Sequence, residues 1–423
     1  MLPASGPPTV LPVAHPVTGH PHVDVPVLLL AVLSFCLVLA VGLGMPRGAT
    51  KGSMPPPASW EGSLSAPQKA VRAVSVGVLL LCLAAARLGT ASELDNLAPA
   101  LVLGVAWPLL FLGALLLGSS WRWLDPWDAG ARVLVPGDRS RPEDDVRPAV
   151  ALALPVLWYV AVHPTPLDPR DLGVALAAYV TVAVAGSLAL GRRRWLSTAD
   201  PVGVVLTWVG RARPAWAASS ATPPGSAAPL GVRAPTGLGA LYGVFAGALL
   251  FGAYRRSETW TGLVDVTDAV VATAAMLAFA ALGAAVVTLL ARVSGLLAPR
   301  RQRVDTVDPA AVVVLAFGPV IVGVVVAVAL ARNRFFNAVQ LLPGLVGDPL
   351  GLGWDLLGDS LAGLDPAPLG AAGLLATQLV VLLATHLWGA VLAGRLLPRA
   401  ARLPAVLLLA QSSAATLAVI SAH

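Results

Sequence analysis

What most constrains this chain is a length that keeps recurring. Apolar runs of roughly 15 to 25 residues follow one another from residue 25 to residue 420. Wound as a helix, such a run covers the roughly 30 Å of hydrocarbon in a bilayer. Backbone amides and carbonyls in lipid must find partners within the chain, which leaves helices or a closed barrel. A barrel strand alternates polar and apolar residues at every second position, and these runs do not. Composition agrees, with 57% hydrophobic residues and 12% charged and a mean hydropathy of +0.79. The expectation is an all-α, polytopic transmembrane helix bundle of about ten spans, at 25–45, 71–86, 97–117, 149–162, 172–190, 237–253, 267–291, 310–331, 369–393 and 403–420. The fourth is the shortest and carries Pro155.

Arginine placement orients the spans. With residues 1–24 outside, the five odd-numbered loops hold 22 of the 28 basic residues, as the positive-inside bias requires of cytoplasmic loops. Only Arg87, Arg170, Arg255, Arg256, Arg332 and Arg334 fall on the other face. Both termini are therefore expected outside, in a multi-pass protein of the cell's inner (cytoplasmic) membrane. The net charge of +6 reads as basic loops beside anionic lipid headgroups, so the expected partner is the bilayer and not nucleic acid. The first run has no basic residue ahead of it and no small-residue cleavage site behind it, so it reads as a retained helix and not a signal peptide. Basic residues are almost all arginine, which with the Ala, Gly and Pro load suggests a GC-rich bacterial genome.

The organisation follows from this. Residues 1–24 form an external His-containing tail, and 25–211 a first five-helix half with a Trp-rich cytoplasmic loop at 118–148. A Pro/Ala/Ser linker spans 212–236, and 237–423 is a second five-helix half with an external Gly/Asp loop at 332–368. Trp121, Trp123 and Trp127 read as an aromatic belt holding a short amphipathic segment at the headgroups. No repeat is evident between the halves.

Soluble catalytic motifs are absent: there is no Walker loop, GxSxG, HExxH or CxxC. Cys36 and Cys82 fall within spans and define neither a disulfide framework nor a zinc motif. The histidines are more informative. "HPVTGHPH" places His15, His20 and His22 within eight residues, a candidate site for a divalent transition metal, against the plainer reading of a solvated tail. His386 is the one histidine inside a span, where a polar group faces the bundle interior. It reads as an interhelical hydrogen-bond partner, helped by Thr385 or Gln378, with a ligand or proton-handling role as the alternative. In "GDPLGLGWDLLGD", Asp348, Asp355 and Asp359 lack the alternating ligands of a calcium loop. The stretch reads as an interfacial segment with Trp354 toward lipid and the aspartates toward water. Asp348, Trp354, Asp355 and Gln378 remain secondary site candidates.

Several stretches, in order along nearly the whole chain, carry a resemblance. They are "AHPVTGHPHVDVPV", "WRWLDPWDAGARVL", "DPRDLGVALAAYVTVAVAGSLALGRRRWLSTADPVGVVLTWVGRARP", "DPLGLGWDLLG" and "THLWGAVLAGRLLPR". The chain resembles a family of bacterial polytopic membrane proteins described as fenitrothion hydrolase-like. That resemblance implies a histidine-rich metal centre that activates water for ester hydrolysis. Of its pattern, Ala14-His15 and Thr385-His386 are present. "VLAFGPVIVGVVVAVALARNRFF" has no histidine, and Gly394 stands where a second histidine of the ninth span is implied.

Three functions follow. The first is a non-catalytic membrane component, transport-like or of envelope assembly, supported by the scarcity of ionisable groups within the spans. The second is a membrane-embedded, metal-dependent hydrolase of organophosphate-like esters. The third is a secondary transporter, for which Pro108, Pro155 and Pro319 within helices are the relevant sign.

Overall fold

A computed structural model describes residues 27–46, 65–118, 120–134, 138, 140–141, 143–213, 234–265, 268–298, 308–354, 356–357 and 365–421. The described chain is all-α. Its helices are α1 Val27–Gly44, α2 Ala66–Leu88, α3 Leu97–Leu117, α4 Trp121–Leu124, α5 Pro126–Leu134, α6 Arg147–Ala161, α7 Pro169–Leu190, α8 Arg192–Thr198 and α9 Pro201–Val209. They continue with α10 Leu238–Tyr254, α11 Glu258–Thr261, α12 Ala269–Leu297, α13 Pro309–Leu330, α14 Arg334–Gly347, α15 Gly370–Leu396 and α16 Arg399–Ser421.

Asp-Pro pairs start four of these helices: α5, α7, α9 and α13. Proline at the first helical position has no amide to leave unpaired, and the aspartate before it can accept the exposed amides of the first turn. Asp125 accepts from the amides of Trp127 and Asp128, Asp168 from Arg170 and Asp171, and Asp308 from Ala310.

Eight helical segments are long and apolar enough to cross a membrane, and α6 and α10 are shorter apolar helices, so the chain is a multi-pass membrane protein. Buried and lipid-facing helices differ sharply. In α1, α2, α7 and α12 only 22% of the apolar window is buried within the protein. In α13, 19 of 22 residues are buried, and a helix apolar all round belongs at the centre of a bundle. Around it stand α3, α10, α12 and α15.

Small residues bring these helices close, as expected where lipid supplies no hydrophobic drive between helices. A Cβ at Gly243 of α10 would lie 2.2 Å from the Gly283 carbonyl oxygen of α12, and one at Gly389 of α15 would lie 2.4 Å from the Ala316 carbonyl oxygen of α13. Within α3, residues Ala100–Ala106 widen into a π-helical stretch. Ala338 of α14 packs there against Gly104.

The two sequence halves interleave. The Trp158 indole of α6 donates to Thr273 of α12 at 2.8 Å, and the Trp388 indole of α15 to the Ala212 carbonyl at 2.7 Å. From the N-terminus, α1 packs on α15 and α16, where Arg402 donates to the Met45 carbonyl at 2.7 Å. Loop contacts sort into two ends. At one, the basic end, Asp138 meets the start of α8, Asp145 pairs with Thr236, and Arg402 reaches Met45. At the other, Arg170 donates to the Gly89 carbonyl at 2.9 Å and Arg255 to that of Val162 at 2.6 Å.

Candidate functional site

The site is built from two segments of the same design. At the end of α3 the chain turns at Gly118 (φ 76°), folds back through α4, reaches Asp125-Pro126 and leaves along α5. At the end of α7 it turns at Gly191 (φ 83°), folds back through α8, reaches Asp200-Pro201 and leaves along α9. Only glycine reverses a chain at such angles without strain. In both, a Trp-Leu pair precedes the Asp-Pro: Trp123-Leu124 and Trp195-Leu196.

The fold-back is visible in the contacts. Trp195 of α8 lies flat on Gly186 of α7, leaving no room for a side chain there, and five residues later Asp200 meets Tyr179. The second hairpin therefore runs back along α7 toward its middle. The two elbows then meet. Trp127, two residues past Asp125, packs its ring 5.1 Å from that of Tyr179, and the Tyr179 hydroxyl donates to Asp200 Oδ1. Trp121 of the first hairpin sits against Gly203 of the second: a Cβ there would lie 3.0 Å from Trp121 Nε1 and 2.3 Å from Asp200 Oδ2.

Charge is concentrated here. Asp128 is fully buried and takes three arginines: Arg72 of α2 at 2.5 Å, Arg132 one helical turn on at 3.0 Å, and Arg192 of α8. Arg72 and Arg192 are themselves buried, and Arg72 also donates to the Arg122 carbonyl. One carboxylate thus ties three elements together, α2, α5 and α8. Asp125 and Asp200 are also fully buried, each within the field of the other. Asp125 keeps one carboxylate oxygen without a hydrogen-bond partner, the backbone of Val202 and Gly203 faces the Asp200 carboxylate, and the Nε1 atoms of Trp121, Trp127 and Trp195 are unpartnered. Unsatisfied donors and acceptors enclosed together are costly to retain for structure alone. Chemically, the elbow pair can accept a proton or a small cation on carboxylate oxygens next to a phenol.

The sequence expectation of few ionisable groups inside the bundle is thereby corrected. It counted charge within spans, whereas Asp125, Asp128, Asp200 and Arg192 lie past span ends and are carried inward by the fold-backs, to meet Arg72 near the start of α2. Trp121, 6% exposed, is accordingly an interior residue and not a headgroup anchor. The available signal was the repeated Trp-Leu ahead of Asp-Pro.

The histidine candidates stand elsewhere. His386 is fully buried, its Nδ1 2.7 Å from the Leu382 carbonyl and its Nε2 3.2 Å from Ser412 of α16. Gln378, one face along α15, donates to the Ala327 carbonyl of α13 at 2.8 Å. Both ring nitrogens of His386 are thus engaged, and Gln378 is tied across to α13. Asp348 folds its carboxylate onto the amides of Leu352 and Gly353, at 2.8 and 2.7 Å, closing the glycine-rich loop. Trp354 is exposed beside Leu352, Leu356 and Leu357. His15, His20, His22, Asp355 and Asp359 lie outside the described residues. Among the described residues no three His, Cys, Asp or Glu side chains converge to hold a metal ion.

No family model matches the chain, and no curated protein and no solved structure is detectably similar to it.

Proposed function

We propose that this is a ten-span protein of the cytoplasmic membrane, with both termini outside, that works in transport and not as an enzyme. The observation that carries the reading is the meeting of two broken, folded-back segments at the buried pair Asp125 and Asp200. Interrupted helices converging on ionisable groups inside a bundle are how secondary transporters build their coupling sites. Carboxylates in that setting are kept for ion or proton movement. On this reading Asp200 takes up and releases the proton while the Tyr179 hydroxyl, which donates to it, stays protonated, Asp125 shares the charge, and the Asp128 arginine cluster fixes the elbows at the cytoplasmic side. The sorting of loop contacts into a basic and a non-basic end supports the alternating order of spans.

Two measurements test this. In proteoliposomes under an imposed proton or sodium gradient, an interior pH dye should report flux that Asp125→Asn and Asp200→Asn largely remove and Asp145→Asn retains. Flux no greater than in empty liposomes, or indifferent to both elbow variants, would sink the transport reading. Orientation is read with single cysteines in a background lacking Cys36 and Cys82. His20→Cys and Asp268→Cys should react with an impermeant maleimide from outside, and Arg141→Cys and Arg301→Cys only after permeabilisation. A stoichiometric transition metal lost in His15→Ala and His386→Ala would instead favour the hydrolase.

A further inference from the structure

The end of the molecule opposite the basic loops should be poor in arginine, yet four of the six assigned to it gather at one turn. Register brings them together. α10 and α13 run side by side, with Gly239 against Val314 and Tyr242 against Gly318. Leu250 and Ala253 of α10 and Val324, Ala327 and Val328 of α13 line one small apolar pocket. Continued past their ends, the two helices carry Arg255-Arg256 and Arg332-Arg334 to the same level. Arg256 lies within the fields of Arg334, Arg332 and Arg255, and burial, with these like charges, lowers it to about 10. Arg255 is engaged by the carbonyls that end α6. The acidic neighbour that acts on Arg334 is Glu93.

The turn that holds these groups is strained. Arg332 and Asn333 are consecutive non-glycine residues in the left-handed region, each at φ 56°, a conformation that clusters at ligand sites because folding alone does not favour it. It leads directly into α14, fourteen residues long, whose N-terminus has no side-chain cap and no acidic residue in its first turn. Arginine stands there instead, against the helix dipole. The N-cap residue, Asn333, is 8% exposed, and its side-chain oxygen has no partner; a carboxamide can turn either donor or acceptor to a ligand. A helix start without a side-chain cap, its positive dipole end and several guanidinium forks are the features that recognise a multi-oxygen anion.

We propose that Arg256, Arg332 and Arg334, gathered at the uncapped start of α14, form a binding site for a phosphate group, borne by a lipid headgroup or by a free ion. The site is separate from the Asp125–Asp200 elbows and does not depend on the transport reading. An anion there neutralises the clustered arginines and relieves the unfavourable charge at the helix start.

The test uses the full-length protein in uncharged detergent. Inorganic phosphate, titrated against chloride at matched ionic strength, is read by calorimetry and by the thermal midpoint. In parallel, protein recovered from phosphatidylethanolamine vesicles with and without phosphatidylglycerol is weighed by native mass spectrometry. Saturable phosphate binding, weakened roughly tenfold or more in Arg334→Gln and Arg332→Gln but unchanged in Arg292→Gln at the opposite end, supports a free-ion site. Stoichiometric phosphatidylglycerol retained by the wild type and lost from the same variants, without a phosphate response, supports the headgroup. Arg332 is exposed, so its variant reports on binding even if Arg334→Gln fails to fold. Neither signal in the wild type, or equal loss in Arg292→Gln, overturns the proposal.

Discussion

Single side chains inside this bundle differ in cost according to what their removal strands. Asp128→Asn would leave Arg72 and Arg192 buried without a counter-charge, and breaking a buried ion pair from one side costs about 3–5 kcal/mol. The thermal midpoint in detergent should fall steeply, whereas Asp145→Asn, at an exposed pair with Arg147, should leave it unmoved. Equal midpoints for the two variants would deny Asp128 its organising role. His386 belongs to a second kind. Its ring bridges α15 to Ser412 of α16, so His386→Ala loses an interhelical hydrogen bond and leaves a void. The expected destabilisation is roughly 1–3 kcal/mol, with no dependence on added metal. Stabilisation of the wild type, but not of the variant, by a divalent cation would return the residue to the ligand candidates.

Elements depend on their turns. Gly191 sits at φ 83° with Ser140 so close that a Cβ would meet its Oγ at 2.6 Å. Gly191→Ala should therefore open the second hairpin, at a cost of roughly 1–3 kcal/mol. Gly77→Ala, mid-helix in α2 with nothing within 4 Å, should instead stabilise by about 0.5–1 kcal/mol. Differential scanning of the pair checks the contrast, which vanishes if the fold-back does not form. The loop after α14 titrates. Slight burial would raise the Asp348 carboxyl, but backbone amides from Leu352, Gly353, Trp354 and Gly351 outweigh it and hold it below the usual carboxylate range. A depressed folded value means that its contribution is whole above the ordinary carboxylate range and is lost as pH falls through that lowered value. Amide exchange at residues 351–354, corrected for intrinsic rate, should accelerate selectively in acid; Asp348→Asn should remove that dependence.

At the scale of the whole molecule, interleaving decides how the chain assembles. Trp158 with Thr273, Trp388 with Ala212, and Arg402 with Met45 join early and late segments across the bundle. A protease site inserted between residues 222 and 223 should accordingly yield fragments that co-elute after cleavage in mild detergent. Separation of the fragments would mean two independent halves. The same packing accounts for the most buried helix. α13 is encircled through small residues on both sides of its contacts: Gly239 and Gly389 of its partners lie against Val314 and Ala316, and its own Gly318 and Gly323 against Tyr242 and Thr385.

Run length and periodicity made the helices legible. Each of the ten apolar segments read from the sequence has its helix, because a continuous apolar run without strand alternation leaves a backbone in hydrocarbon only the helix to satisfy its hydrogen bonds. Asp-Pro marked where several of them start, a local rule that needs no tertiary partner. Of the site residues, His386 and Gln378 were legible as interior polar groups, and their hydrogen-bond partners were not. The elbows were missed because Asp125, Asp128 and Asp200 follow apolar segments and look, in one dimension, like solvated loop. Only the turns at Gly118 and Gly191 fold them back, and only the meeting of the two hairpins turns three loop aspartates into buried ones. Composition and span length are sums along the chain, so the sequence by itself determined membrane class and where the long apolar helices lie. Burial of a charge depends on what approaches it from elsewhere, and that the tertiary structure alone decided.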